Sequence, residues 1–263
     1  MHGLNPHDQG RVLDWGRTSD DYAEYRPGYP DSFFQRLRVL GVGLPGQTIL
    51  DVGAGTGVLA RVFAGQGSEV TATDVSAEQI EACQRLAREQ GVSVRAFAAP
   101  AERTELPDAS FDVITASQAW LYFDCAKMIP QVKRMLKPGG RLMTCHLCWL
   151  PRVDAIARAT EALVLKHNPA WSAANWSGSI PAQPAWSIQD FTVTAMFYYD
   201  VAMPFTIASW LGRIRACRGI GALLSPEQVE AFDRDHAAML RERAGESFTI
   251  THRIDAHLFA LKE

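Results

Sequence analysis

The run Leu50-Asp51-Val52-Gly53-Ala54-Gly55-Thr56-Gly57 constrains this chain more than any other stretch. It closes a short apolar segment, 48–52, and opens a helix expected over 58–64. Glycines at alternate positions accept left-handed backbone and leave no side chain between the turn and a bound group. A second apolar run, Val70-Thr71-Ala72-Thr73, ends at Asp74 and turns into another helix. A carboxylate there can accept both hydroxyls of a ribose. The two features predict an adenosine-containing ligand at the carboxyl ends of neighbouring parallel strands.

The spacing of the glycines separates the candidate ligands. The dinucleotide pattern is G-x-G-x-x-G. Here Val58 stands where its third glycine belongs, while Gly57 comes one residue early and Asp51 precedes the set. A pyrophosphate needs an unobstructed helix N-terminus, so a nicotinamide-dependent oxidoreductase is the alternative that requires the loop to tolerate Val58. The observed D-x-G-x-G-x-G pattern resembles that of class I methyltransferases dependent on S-adenosylmethionine, a ligand with no phosphate.

Further stretches extend the resemblance over about residues 12–146. Ala101-Glu102, with Leu106-Pro107-Asp108-Ala109-Ser110-Phe111-Asp112-Val113-Ile114, is similar to the A-E-x-L-P-x-x-x-S-F-D-V stretch of that superfamily. Lys137-Pro138-Gly139-Gly140 resembles its K-P-G-G turn before strand five, and Tyr22 to Pro30 resembles a Y-x-x-x-R-P-x-Y-P lead-in. Ser117 to Asp124 resembles the A-Q-A-x-H-W-F-D segment of small-molecule methyltransferases, including trans-aconitate methyltransferase-like enzymes, with Leu121 in place of His and Tyr122 in place of Trp. The missing His keeps open a third reading, a non-catalytic S-adenosylmethionine-binding protein. Motifs in the expected order identify a family where each alone is weak.

The resemblance implies roles residue by residue. Gly53, Ala54, Gly55 and Gly57 would lie against the methionine and ribose, with Asp51 orienting the loop or receiving the amino group. Asp74 would bind the ribose, with Val75 beside the adenine. Ala101 and Glu102 would sit at the adenine edge. Ser117, Gln118 and Ala119 would flank the sulfonium.

The alternation of strands and helices implies a parallel sheet with helices on both faces. The whole reads as a doubly wound α/β fold. The resemblance implies a seven-stranded, mostly parallel sheet, its last strand antiparallel, with a helical and loop insertion after strand five. Expected elements are strands at 48–52, 92–97, 111–116 and 141–145, with helices at 19–25, 31–40, 125–136, 153–167 and 206–217. Ser76 with Gln79, and Ser225 with Gln228 and Pro226, read as capping boxes. Residues 248–256 alternate as a half-buried strand, with 191–198 as partner. The organisation expected is one methyltransferase domain: an arm over 1–30, a cofactor-binding core over 31–146, an acceptor-side elaboration over 147–247 that includes strand six, and a terminal strand over 248–263. A long segment rich in Trp, Pro and Ser at 168–188 reads as a lid over a site.

A net charge of −3 gives no broad basic field and disfavours a nucleic-acid partner. No apolar run reaches membrane-spanning length, and the first residues do not read as a signal peptide, so a cytoplasmic protein is expected. Five cysteines form no disulfide framework, and Cys145-His146-Leu147-Cys148 lacks a second ligand pair for a metal.

The acceptor side has fewer signals. His146, at the end of strand five, is the candidate general base. Trp120, Tyr122 and Trp149 could enclose an acceptor or simply fill a core. Arg26, Arg215 and Arg218 are candidates to hold a substrate carboxylate, because arginine offers a bidentate fork; a structural ion pair is the competing reading. The expected reaction is methyl transfer to a small molecule, with an oxygen nucleophile and a small organic acid favoured.

Overall fold

A computed structural model describes residues 7–8 and 11–262. Seven strands form one sheet: β1 (Thr48–Val52), β2 (Glu69–Asp74), β3 (Val94–Ala98), β4 (Phe111–Ser117), β5 (Leu136–Trp149), β6 (Phe191–Thr206) and β7 (Ser247–Leu261). Their order is β3-β2-β1-β4-β5-β7-β6. The first five strands are parallel, and β7 runs antiparallel to both β5 and β6. The central strands read as continuous apolar runs because both their faces are covered; Ile49, Leu50 and Val52 have no exposed surface.

Eight helices accompany the sheet among the described residues: α1 (Ser19–Tyr25), α2 (Asp31–Val39), α3 (Val58–Gly65), α4 (Ala77–Glu89), α5 (Cys125–Met135), α6 (Ala155–His167), α7 (Ile207–Arg215) and α8 (Pro226–Arg243). Phe33, Phe34 and Leu37 of α2 and Phe63 of α3 pack on one face, against Ile49, Val113 and Met143. Met128, Val132 and Met135 of α5 pack on the other, against Leu50, Ile114 and Leu142. Strand order reverses between β1 and β4, so the loops leaving them part to opposite faces and open a crevice at the carboxyl ends.

Short polar side chains start several of these helices, each accepting an otherwise unpaired amide. Ser76, Asp124 and Asp154 begin α4, α5 and α6 in this way. Ser225 and Gln228 form the full reciprocal box at α8, with Pro226 in the first turn. At α4 only half of the expected box exists. Ser76 caps Gln79, but the Gln79 side chain turns away and donates to Trp15 O in the arm at 3.3 Å.

The strands on the β7 side are longer than their local pattern suggests. β5 continues past Cys145 to Trp149, and β7 extends from Ser247 to Leu261, because residues 141–149 pair without a break against 252–260. β6 runs on from Tyr198 to Thr206 along β7. The carboxyl-edge ends of β6 and β7 carry Phe205 and Ile250 into a third cluster with Trp210, Phe232 and Leu240. Burial of each such side chain is worth about 1.5–3 kcal/mol, and this cluster mounts α6, α7 and α8 above the crevice. No helix among the described residues is long and apolar enough to cross a membrane. All five cysteines are free thiols.

Two histidines lie in that third cluster's surroundings with no exposed surface, His236 and His252. Burial lowers each to a pKa of about 4. An unfolded histidine titrates near 6.5, so between about pH 6.5 and 4 the unfolded chain binds protons that the folded chain refuses. Stability is therefore expected to fall with decreasing pH across that window, by up to about 1.4 kcal/mol per pH unit for each histidine. Urea unfolding of the wild type and of His252→Phe between pH 7 and 5 checks this; the variant should show the shallower slope.

Candidate active site

The glycine loop after β1 is held in left-handed conformations at Gly53 (φ 62°), Gly55 (56°) and Gly57 (78°). Their missing side chains serve different purposes. A Cβ at Gly53 would collide with Ala119, and one at Gly57 with the Cys83 sulfur. Those two positions let the loop pack against the protein. Gly55 alone presents its bare face to a roomier space, its nearest neighbours being Gln79 Oε1 and the Tyr22 ring at 3.6 Å.

Two buried acceptors border this loop without a donor. Asp51 is 1% exposed; its Oδ1 accepts from Thr115 at 2.7 Å, while Oδ2 has no partner. Burial pushes the Asp51 carboxyl up to about 7, against the opposing pull of the Thr115 hydroxyl and the Ala60 backbone amide at the start of α3. Gln79 Oε1 is the second orphan. Orphaned buried acceptors are costly, and a ligand bearing an ammonium and hydroxyls supplies what both lack. Asp74 ends β2, where its carboxylate accepts from Gly55 N at 2.8 Å and Ser76 N at 3.0 Å. Burial raises its pKa, and these amides counter the shift. The same carboxylate thus fixes the glycine loop, with lone pairs remaining for a ribose. Val75 beside it is 69% exposed.

The end of β4 forms the opposite wall. Ser117 bonds the Tyr29 hydroxyl at 2.9 Å. Gln118 takes the left-handed region with φ 58°, uncommon for a residue with a side chain. Its amide donates to Cys145 O at 2.9 Å and its side chain to Leu147 O at 2.5 Å. Gln118 therefore brackets the backbone of His146. The His146 ring keeps 29% of its surface exposed, and its Nδ1 is 3.0 Å from Asp255 Oδ2 on the adjoining β7. Burial pulls the imidazole pKa down, but the Asp255 carboxylate outweighs it and raises the net value above the ordinary 6.5. Strand β5 places His146 inside the strand rather than at its end, and the pairing of His146 with Asp255 follows from that register.

Ala101 is buried, while Glu102 accepts from Asp124 N at 3.1 Å and so helps to start α5. Trp120 stacks near Trp186, centroids 4.4 Å apart, inside the second core cluster. Trp149 donates to Glu161 Oε1 at 2.7 Å and lies against Trp210. Both tryptophans thus have packing partners. Tyr122 meets Trp15 edge-on at 5.5 Å, and burial pushes its hydroxyl up to about 12, keeping it a neutral donor.

The arginines divide differently from the sequence reading. Arg215 is taken up by Asp21 of α1 at 2.7 and 2.9 Å and by Asp233 of α8 at 2.9 Å. It ties the arm to the helical cap, so its carboxylate partners are the protein's own. Arg213, two residues earlier on the same helix and 5% exposed, is not singled out by helical spacing, because the ring it meets, Trp149, lies on a distant strand. Its guanidinium lies 5.1 Å over the Trp149 ring and donates to Cys217 Sγ at 3.1 Å, leaving Nε unpaired. Arg218 follows α7 in a turn rather than on the helix; it is 8% exposed, 5.7 Å over Tyr122, and donates to Ser172 Oγ. Arg26 lies 4.5 Å over the Tyr22 ring. Tyr22 feels Arg26, Arg213 and Asp74 together, which places the arginines and the Asp74 carboxylate about one ring.

Residues 49–140 match a family described as a methyltransferase domain. Curated relatives include a methyltransferase of unassigned activity from Mycobacterium tuberculosis, 36% identical over 149 residues, which are 57% of this chain and 57% of the relative. A ubiquinone biosynthesis O-methyltransferase from Pseudomonas fluorescens is 36% identical over 131 residues, 49% of this chain and 56% of that protein. The chain thus spans little more than half the length of these relatives. Among solved structures, the YjhP protein of E. coli aligns with a TM-score of 0.60 at 20% identity, covering 94% of this chain and 99% of that one. Bacillus subtilis YcgJ aligns with a TM-score of 0.52 at 23% identity, covering 86% and 98%. These two likenesses concern the fold.

Because Arg215 bridges two carboxylates in a partly buried setting, Arg215→Met should lower stability by about 1–3 kcal/mol. Urea unfolding measures this, and its role in tying α1 to α8 predicts that binding of a small acid in the crevice changes less than twofold.

Proposed function

From the premise that this chain carries a class I methyltransferase domain, we propose that it transfers a methyl group from S-adenosylmethionine to an oxygen of a small-molecule acceptor. The observation that supports this most is the convergence at the carboxyl ends of neighbouring strands of the Gly55–Asp74 cradle and the His146–Asp255 pair, with Ala119 packed on Gly53 and Gln118 beside it bracketing His146. The orphaned Asp51 Oδ2 and Gln79 Oε1 are fitted to a ligand with an ammonium group and hydroxyls.

S-adenosylmethionine supplies a methyl group already activated by its sulfonium. The protein's part is alignment and exclusion of water. Asp74 takes the ribose hydroxyls while its amide contacts hold the loop in place. Asp51 faces the amino group. Tyr22 and the arm close over Gly55. On the acceptor side, His146 removes the hydroxyl proton at Nε2 as the oxygen attacks, because its Nδ1–H is held by Asp255. Asp255 fixes the ring and stabilises the imidazolium that results. A carboxylate oxygen acceptor is ionised at neutral pH and needs no such base.

Asp74→Ala should weaken S-adenosylhomocysteine by at least about tenfold in calorimetry, consistent with losing charge-assisted bonds worth about 1.5–3 kcal/mol. Wild-type affinity in that variant overturns the ribose role, and tight binding of a nicotinamide dinucleotide instead overturns the proposed donor. With a hydroxyl acceptor, kcat should rise with pH and level off above the raised His146 pKa, since the base works only when neutral. Asp255→Asn should shift that inflection to lower pH and reduce kcat. An unchanged pH profile would remove His146 and Asp255 from the chemistry.

A further inference from the structure

Three guanidiniums gather at the acceptor side of the crevice with no carboxylate among the described residues to answer them. Arg26, Arg213 and Arg218 take part in none of the ion pairs formed by those residues, in contrast to Arg215. Arg213 is 95% buried, with Nε unpaired. The neighbouring acids are already engaged. Asp74 holds two backbone amides, Asp255 holds His146, and both Glu161 oxygens accept from Trp149 and the Asn175 amide. The nearby Cys148 thiol is pushed up to about 11 and so carries no charge at neutral pH. Buried arginine without an acid is uncommon, because the charge is costly to strip of water.

Resting on the methyltransferase reading above, we propose that the acceptor is a small carboxylic acid whose carboxylate is held by Arg213 and Arg218. S-adenosylmethionine brings one carboxylate of its own. Arg26 is placed to meet it, because it lies on Tyr22 beside Gly55 and feels Tyr29, whose hydroxyl reaches Ser117. Two guanidiniums then remain for the acceptor. Arg213 and Arg218 belong to the end of α7 and the turn after it, so their forks approach the crevice from the helical cap rather than from the sheet. An acid gripped there from above presents its far end to His146 on β5. A hydroxy acid fits both ends: the carboxylate sits on the arginines and the hydroxyl faces the imidazole. In the transfer the hydroxyl oxygen forms the new bond to the methyl carbon, the carbon–sulfur bond breaks with its electron pair left on sulfur, and the hydroxyl proton passes to His146.

The test uses the full chain with saturating S-adenosylhomocysteine. The probes are 2-, 3- and 4-hydroxybenzoate, lactate, malate and citrate, each with its amide, and binding is read by calorimetry. At least one acid should bind, and its amide should bind at least tenfold more weakly. Arg213→Met and Arg218→Met should each weaken that acid at least tenfold while S-adenosylhomocysteine affinity stays within twofold. Arg213→Lys, which keeps the charge but not the fork, should fall between. The thermal midpoint gives a separate reading: an uncompensated charge predicts that Arg213→Met melts at or above the wild-type temperature, whereas a structural arginine predicts a lower one. Equal binding of acids and amides, unchanged acid affinity in Arg213→Met, or no acid bound by a protein that does bind S-adenosylhomocysteine overturns the proposal. Failure to bind S-adenosylhomocysteine overturns the methyl-donor reading beneath it.

Discussion

The antiparallel pairing of β7 between β5 and β6 is the interaction on which the rest of this structure depends. A purely parallel sheet would end at β5, with its edge open and its carboxyl end bare. Insertion of β7 closes that side and aligns Asp255 with His146, register partner to register partner. The same strand continues beyond the sheet edge, paired with β6 as far as Ser247 and Thr206. That extension carries Ile250 and supplies the platform on which Trp210, Phe232 and Leu240 pack. One pairing thus orients a candidate base and builds the cap above it, which is why the site has a floor from the sheet and a roof from helices.

Charge is distributed unevenly across that roof. Arg215 faces outward to Asp21 and Asp233 and joins α1, α7 and α8. Arg213, two positions away on the same helix, turns by about 200° and meets an indole and a thiol instead. The cap is therefore stabilised on one side of α7 and left with unanswered positive charge on the other. Aromatic faces beneath Arg213, Arg218 and Arg26 offer partial compensation through cation–π attraction, about 0.5–2 kcal/mol each. That is less than a buried carboxylate would give.

How much of this was legible in the sequence follows from how local each signal is. The glycine run, Asp74 and the turn into α4 are set by neighbouring residues, so their pattern could be read directly. Ser225 and Gln228 form their box within one helical turn. Gln79 has the same spacing from Ser76, yet it reaches Trp15, 64 residues earlier, because the arm lies across α4. That Arg215 meets a carboxylate of the protein itself likewise depends on Asp21, 194 residues from Arg215. Helical spacing names the positions that share a face, but it does not say which distant segment that face meets. The lengths of β5, β6 and β7 were obscured for the same reason: a strand lasts as long as its partner does, and the partners are far apart in the chain.

The arm gathers these long-range contacts into one device. Trp15 and Gly16 lie on the start of α4, Tyr22 lies against Gly55, and Asp21 is fastened to α7 and α8 through Arg215. Asp14 and Arg17 add bonds to Ala222 and Leu224, in the turn that carries Arg218 toward α8. The segment that covers the glycine loop is therefore the segment that positions the arginine-bearing turn. The Gly55–Asp74 loop and the arginine-bearing turn thus share contacts with one short segment, and Tyr22 is a side chain influenced by both Asp74 and the arginines.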